Sequence, residues 1–156
     1  MKIGNGILEI GICGINNGKY ISVSKIEKIA KDVLNYYPLN KIFKVTHIEI
    51  ENKLTNFEKL KNKLDVVGVV GWHINSRYED GFVYSEPDST ILAHEIGHAL
   101  GLKHPAQCKI RGYCSEKFMK EHCPDSKYIM GCVIISGKND GFSQEDKDKL
   151  EKWYLR

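Results

Sequence analysis

Apolar and polar positions alternate with different periods along the chain, and the pattern changes character near its middle. Ile7 to Cys13 alternates weakly and runs into a glycine- and asparagine-rich turn at 14–18, which reads as a first strand and its exit. Ser24, with Glu27 three residues later, has capping-box spacing. Ile26, Ile29, Ala30, Val33, Leu34 and Tyr37 follow at helical intervals, and Pro38 closes that helix. Phe43 to Glu51 is β-branched and predicts a second strand. Asn56 to Leu64 predicts a short helix whose lysines form a solvated face. The apolar run from Asp65 to Trp72 has strand length, and Gly81 to Tyr84 reads as a further edge strand. Asp88, Ser89 or Thr90 can cap a helix running to about Leu100, where Gly101 stops it. From 102 to 142 the pattern is irregular. Ser143 and Asp146 then repeat the capping spacing, and Leu150, Trp153 and Tyr154 give a terminal helix its apolar side.

This order predicts an α+β fold in one domain spanning 1–156, with sheet and helices to about residue 101 and a loop-rich part from about 102. The length of 156 residues and a hydrophobic share of 42% allow a self-sufficient core. No apolar run approaches the ~18 residues of a membrane span. Residues 1–6 lead into a strand pattern, not an apolar signal core, so a cytoplasmic location is expected. A net charge of +3, from 23 basic and 20 acidic residues, gives no reason to expect nucleic acid or a membrane as partner.

The chemistry is concentrated in His94-Glu95-Ile96-Gly97-His98-Ala99-Leu100-Gly101-Leu102-Lys103-His104. Residues four apart share a helix face, so His94 and His98 can bind one metal ion together. Glu95 lies about 100° around the helix, placed to reach a water on that ion and not the ion itself. Gly101 lets the chain turn sharply in a left-handed conformation so that His104 can return as the third ligand. Three protein ligands with an open water position make a catalytic zinc site, not a structural one.

The string resembles the signature of the metzincin zinc metallopeptidases, His-Glu-x-x-His-x-x-Gly-x-x-His followed by a methionine turn. The candidate for that turn is Tyr128-Ile129-Met130-Gly131, with Met130 lying 26 residues after His104. Met119, in a charged stretch, is the second candidate. The resemblance implies a metzincin-like catalytic domain: a twisted mixed sheet, two main helices above the cleft, and a lower part ending in a helix. It also implies one catalytic Zn²⁺ on His94, His98 and His104, an apolar floor at Met130, and Glu95 as general base toward a zinc-bound water. Peptides or proteins are the implied substrates, cleaved as by an endopeptidase. They would pair with an edge strand, with Gly81–Tyr84 or Gly68–Trp72 as candidates and 105–128 and 133–135 shaping specificity. A monomer is expected. Tyr128 could assist at the oxyanion, and Glu79, Asp80 or Glu86 could hold a free amine in an aminopeptidase variant. A zinc-binding module that does not cleave would have no use for Glu95. The chain departs from named branches of the family. Cys132 stands where some members carry a metal-binding tyrosine. Pro105 follows His104 where others carry aspartate or cysteine.

Cys108, Cys114, Cys123 and Cys132 are separated by five, eight and eight residues. Two disulfides, free thiols, or a second and structural zinc are the three readings, the last without the close Cys-x₂₋₄-Cys pairs usual for such a site. Cys13-Gly14-Ile15 faintly resembles the zinc-blocking cysteine of matrixin prosegments, against the plainer reading of a buried strand cysteine. His47, His73 and His122 have no ligand spacing.

Overall fold

The computed structural model describes residues 8–37, 43–104, 128–131 and 141–154. It is a mixed α+β fold built on a five-stranded sheet. The strands are β1 (Leu8–Ile15), β2 (Phe43–Glu51), β3 (Val66–Val70), β4 (Arg77–Glu79) and β5 (Phe82–Ser85). Their spatial order is β2-β1-β3-β5-β4. All neighbours are parallel except β4, which pairs antiparallel with β5. The helices are α1 (Val23–Tyr36), α2 (Ser89–Ala99) and α3 (Gln144–Tyr154), with a 3-10 helix at Leu54–Asn62 where the sequence pattern predicts a short helix over 56–64.

Two-residue periodicity in the strands sorts the core into two layers. Ile10, Ile12, Val66, Val70 and Val83 face α1, α2 and α3. Cys13, Val67, Val69, Phe82 and Tyr84 face the 3-10 helix, which contributes Phe57 and Leu60. Gly68 lies on the helical side, where a Cβ would meet Leu92 Cδ1 at 3.4 Å, so α2 packs close against β3.

Two elements differ from the sequence expectation. The N-cap of α1 is Ser22, whose hydroxyl accepts from Lys25 N–H at 3.2 Å. Ser24 already lies in the first turn, so Ser24 and Glu27 form no capping box. The second concerns the sheet edge. Residues 82–85 are internal and fully buried, because 77–79 folds back on their outer side. The two-residue turn between them, Asp80 (φ 53°) and Gly81 (φ 83°), has the left-handed pair that closes a tight hairpin. β3 is internal as well, between β1 and β5. Neither expected substrate edge is therefore an edge, and β4 occupies that place. The terminal capping expectation holds: Asp146 N–H donates to Ser143 Oγ at 3.2 Å at the start of α3.

Candidate metal centre

α2 starts where the sequence allowed. Asp88 Oδ1 accepts from the N–H groups of Thr90 and Ile91 at 2.9 and 3.0 Å. The helix is clamped on both sides. Tyr37, at the C-terminal cap of α1, donates its hydroxyl to Ala93 O at 2.8 Å, one residue before the first histidine. Tyr154 of α3 donates to Leu100 O at 2.7 Å, just past the helix end. The end itself is a Schellman turn: Gly101 N–H bonds His98 O at 3.0 Å, and Leu102 N–H reaches back to Gly97 O at 2.9 Å. Gly101 supplies the required positive φ, 105°.

That turn brings three imidazoles together. The ring centroids of His94, His98 and His104 lie 4.6, 4.9 and 4.7 Å apart pairwise. One nitrogen from each falls within 4.8 Å of the others. Each remaining nitrogen, Nδ1, faces a main-chain carbonyl: Ile129 O at 2.6 Å from His94, Leu102 O at 2.9 Å from His98, Gly131 O at 3.0 Å from His104. A carbonyl can only accept, so each Nδ1 carries the proton and each Nε2 presents a lone pair. The Nε2 atoms of His94 and His98 are 3.0 Å apart, and no proton remains to lie between them. Converging lone pairs of this kind suit a cation. A tetrahedral Zn²⁺ with bonds of 2.0–2.1 Å would want its ligand nitrogens about 3.3 Å apart. The three histidines could therefore hold a metal ion, and their donor set fits zinc.

The electrostatics agree with that use. Burial pushes His94 down to about 4; the Ile129 carbonyl works against this, and the neighbouring His98 and His104 add to it. Burial likewise lowers His98, again against a carbonyl, that of Leu102. Both rings are thus neutral and ligand-competent at ordinary pH. Glu95 is 8% exposed, and burial pushes its carboxyl up to about 6. A carboxyl near that value can both take and release a proton near neutrality.

Residues that the motif alone does not reveal complete the centre. Met130 is buried directly under α2, and a Cβ on Gly97 would fall 2.5 Å from its sulfur. Gly97 is therefore the slot that admits Met130, and the residues flanking Met130 are the ones whose carbonyls hold His94 and His104. Tyr128 is half-buried, and its carbonyl accepts from Gly131 N–H at 3.0 Å, closing the turn. No periodicity marks Ile129 or Gly131, because their contribution is main-chain oxygen.

Other sequence candidates fall elsewhere. Cys13 is fully buried against the 3-10 helix, on the face of the sheet turned away from α2, so it does not approach the histidines. Glu79 is paired with Arg77 at 2.6 Å, and His73, Asp80 and Glu86 are exposed. Pro105, Met119, His122, residues 133–135 and the cysteines 108, 114, 123 and 132 lie outside the described residues, as does most of 105–128. Among the described residues, no helix is long and apolar enough to cross a membrane.

The class defined so far is a small α+β fold whose three-histidine centre is built from the helix that follows β5 and the turn just past its end. No family model and no curated protein matches the sequence. Among solved structures the chain is similar to archaemetzincin from Methanopyrus kandleri, with a TM-score of 0.50 and 14% identity over 94% of each chain. At that identity the likeness concerns the fold.

Proposed function

We propose that this chain is a zinc-dependent peptidase of metzincin type, acting on peptide bonds in peptides or proteins. The observation that carries this reading is the trio His94, His98 and His104, each locked by a carbonyl at Nδ1 with its Nε2 turned inward, beside a buried Glu95. The fold likeness to archaemetzincin supports it. Zn²⁺ held by the three imidazoles would supply Lewis acidity, polarising a carbonyl and bringing the pKa of a water down to about 7. Glu95 takes the proton of the attacking water as the C–O bond forms, then passes it to the departing amine as the C–N bond breaks. The outer edge of β4, the free edge beside α2, offers main-chain groups for an extended peptide. The chain works as a monomer with one catalytic zinc.

The test compares the wild type with Glu95→Gln on a mixed quenched-peptide library, with zinc quantified on both. Glu95→Gln should keep its zinc and lose about 10²–10⁴-fold in kcat/KM. A fully zinc-loaded wild type that cleaves nothing, or a variant that cleaves equally well, would sink the peptidase reading.

A further inference from the structure

A second cavity lies away from the histidines. Its volume is about 320 Å³, at the lower end of small-molecule pockets, where an amino-acid-sized ligand fits. Its floor includes Val69 and Tyr84, which belong to the core layer facing the 3-10 helix. α2 lies on the other layer. The two sites also sit at opposite ends of the strands. Ala99, next to His98, shares a small cavity with Val66 and Gly81 at the amino ends of β3 and β5. Val69 and Tyr84 are at the carboxyl ends.

The topology gives this place meaning. From β1 the chain goes to β2 on one side, and from β3 it goes to β4 and β5 on the other. The loops leaving β1 and β3 therefore diverge between adjacent parallel strands, which is where open sheets of this kind receive ligands. Asn17 stands on the first loop, and His73 and Asn75 on the second, all lining the cavity. Among the described residues, none of these three side chains makes a hydrogen bond. His73 holds φ 60°, an unfavourable conformation for a residue with a Cβ. Arg77 closes the rim. Its Nε donates to Glu79 at 2.6 Å, its Nη1 donates to Asn75 O at 2.8 Å, and its guanidinium lies 4.1 Å from the Tyr84 ring centroid. Three contacts orient the group while Nη2 remains available.

We propose that this cavity binds a small carboxylate with an apolar body. Arg77 and the amides of Asn17 and Asn75 take the carboxylate, and the half-buried Ile15 and Ile74, which line the cavity above Val69, take the apolar part. Glu79 occupies Nε, so the selection for an anionic head rests on Nη2 of the oriented guanidinium together with the neutral amide donors. The apolar lining selects a tail, so a bare inorganic anion should bind more weakly than an acid that carries one. The site is independent of the peptidase reading.

The experiment titrates the ¹⁵N-labelled full chain with N-acetyl-L-leucine and, separately, with N-acetyl-L-leucinamide. The acid should give saturable shifts at Asn17, His73 and Asn75. The uncharged amide, and the variant Arg77→Gln, should bind about tenfold or more weakly, the worth of one charge-assisted bond. Asn17→Asp, which places a repelling carboxylate in the same cavity, should weaken binding likewise and serves if Arg77→Gln does not fold. Three results would overturn the proposal: shifts confined to His94, His98 and His104; equal binding of acid and amide; or no saturable shift at millimolar acid.

Discussion

His98 is held by its own neighbourhood, whereas His94 and His104 are held from afar. The carbonyl on His98 comes from Leu102, four residues on, and the Schellman turn at Gly101 delivers it. The carbonyls on His94 and His104 come from Ile129 and Gly131, 35 and 27 residues away, either side of Met130. One anchor forms whenever α2 ends correctly. The other two require a distant turn to be seated beneath the helix. Local geometry and tertiary packing thus share one metal centre, and perturbing each should leave different traces.

Metal removal should have the largest effect. At free zinc a thousandfold above Kd, binding stabilises the fold by about 4 kcal/mol, so chelation should lower Tm by roughly 10 °C. Hydrogen exchange separates the two kinds of anchor: chelation should expose the amides of 128–131 well before those of 99–102. Equal loss in both segments would mean that the two anchors are not separate. Without metal, pH adds a second signature. His94 has its pKa at about 4 in the fold, against about 6.5 unfolded. The unfolded chain therefore binds the proton first, and stability falls as pH drops from 6.5 toward 4. Lowered His98 acts in the same direction. Glu95, raised from 4.5 to about 6, acts oppositely: its contribution is complete below pH 4.5 and gone above pH 6. Apo Glu95→Gln should therefore melt higher than apo wild type at pH 7, with the gap closing below pH 4.5.

Next in size comes Gly97→Ala. Alanine is the better helix former by about 1 kcal/mol, so propensity alone predicts a gain. The new Cβ would instead stand 2.5 Å from the sulfur of Met130, which is 2% exposed and has little room to swing aside. Overpacking of that kind costs about 1–3 kcal/mol. The displaced turn would loosen both remote carbonyls, and zinc affinity should fall about 10–100-fold, as when outer-shell partners of metal ligands are lost. Competition with a chromophoric chelator measures it. Unchanged affinity would show that Met130 does not transmit its position to the histidines.

The same division decides what could be read in advance. His94, Glu95, His98, Gly101 and His104 stand within eleven residues, where helical geometry converts spacing into position. Met130 was legible only through resemblance to a family pattern. The same pattern placed Ile129 and Gly131 in the turn, but their roles and that of Gly97 were not legible, since a slot for a sulfur and two main-chain oxygens leave no side-chain pattern. In the sheet, β2 matched its predicted bounds. The hairpin at Asp80-Gly81 was missed although its turn pair is a strong local signal, and this misplaced the free edge. The cap at Ser22 was missed because Ser24 and Glu27 mimic its spacing two residues along.

Gly101→Ala tests the local anchor. The added Cβ would meet Trp153 at 3.4 Å, an ordinary contact, so the cost comes from φ 105°, about 1–3 kcal/mol. Its effect on zinc should be comparable to that of Gly97→Ala, because the turn carries both the carbonyl on His98 and the chain that returns His104. The smallest effect should come from Tyr154→Phe. It removes the bond to Leu100 O and leaves that carbonyl short of a donor, at a cost of about 1–2 kcal/mol seen as a lower Tm. Zinc affinity should stay within about twofold. The reason is geometric: the oxygen on His98 belongs to Leu102, which is tied to Gly97 through its own N–H and not through Tyr154. A Tyr154→Phe variant that lost zinc as readily as Gly97→Ala would erase the distinction between local and remote anchors. It would mean that the end of α2 depends on α3 for its shape, and that His98 is as remotely held as its two partners.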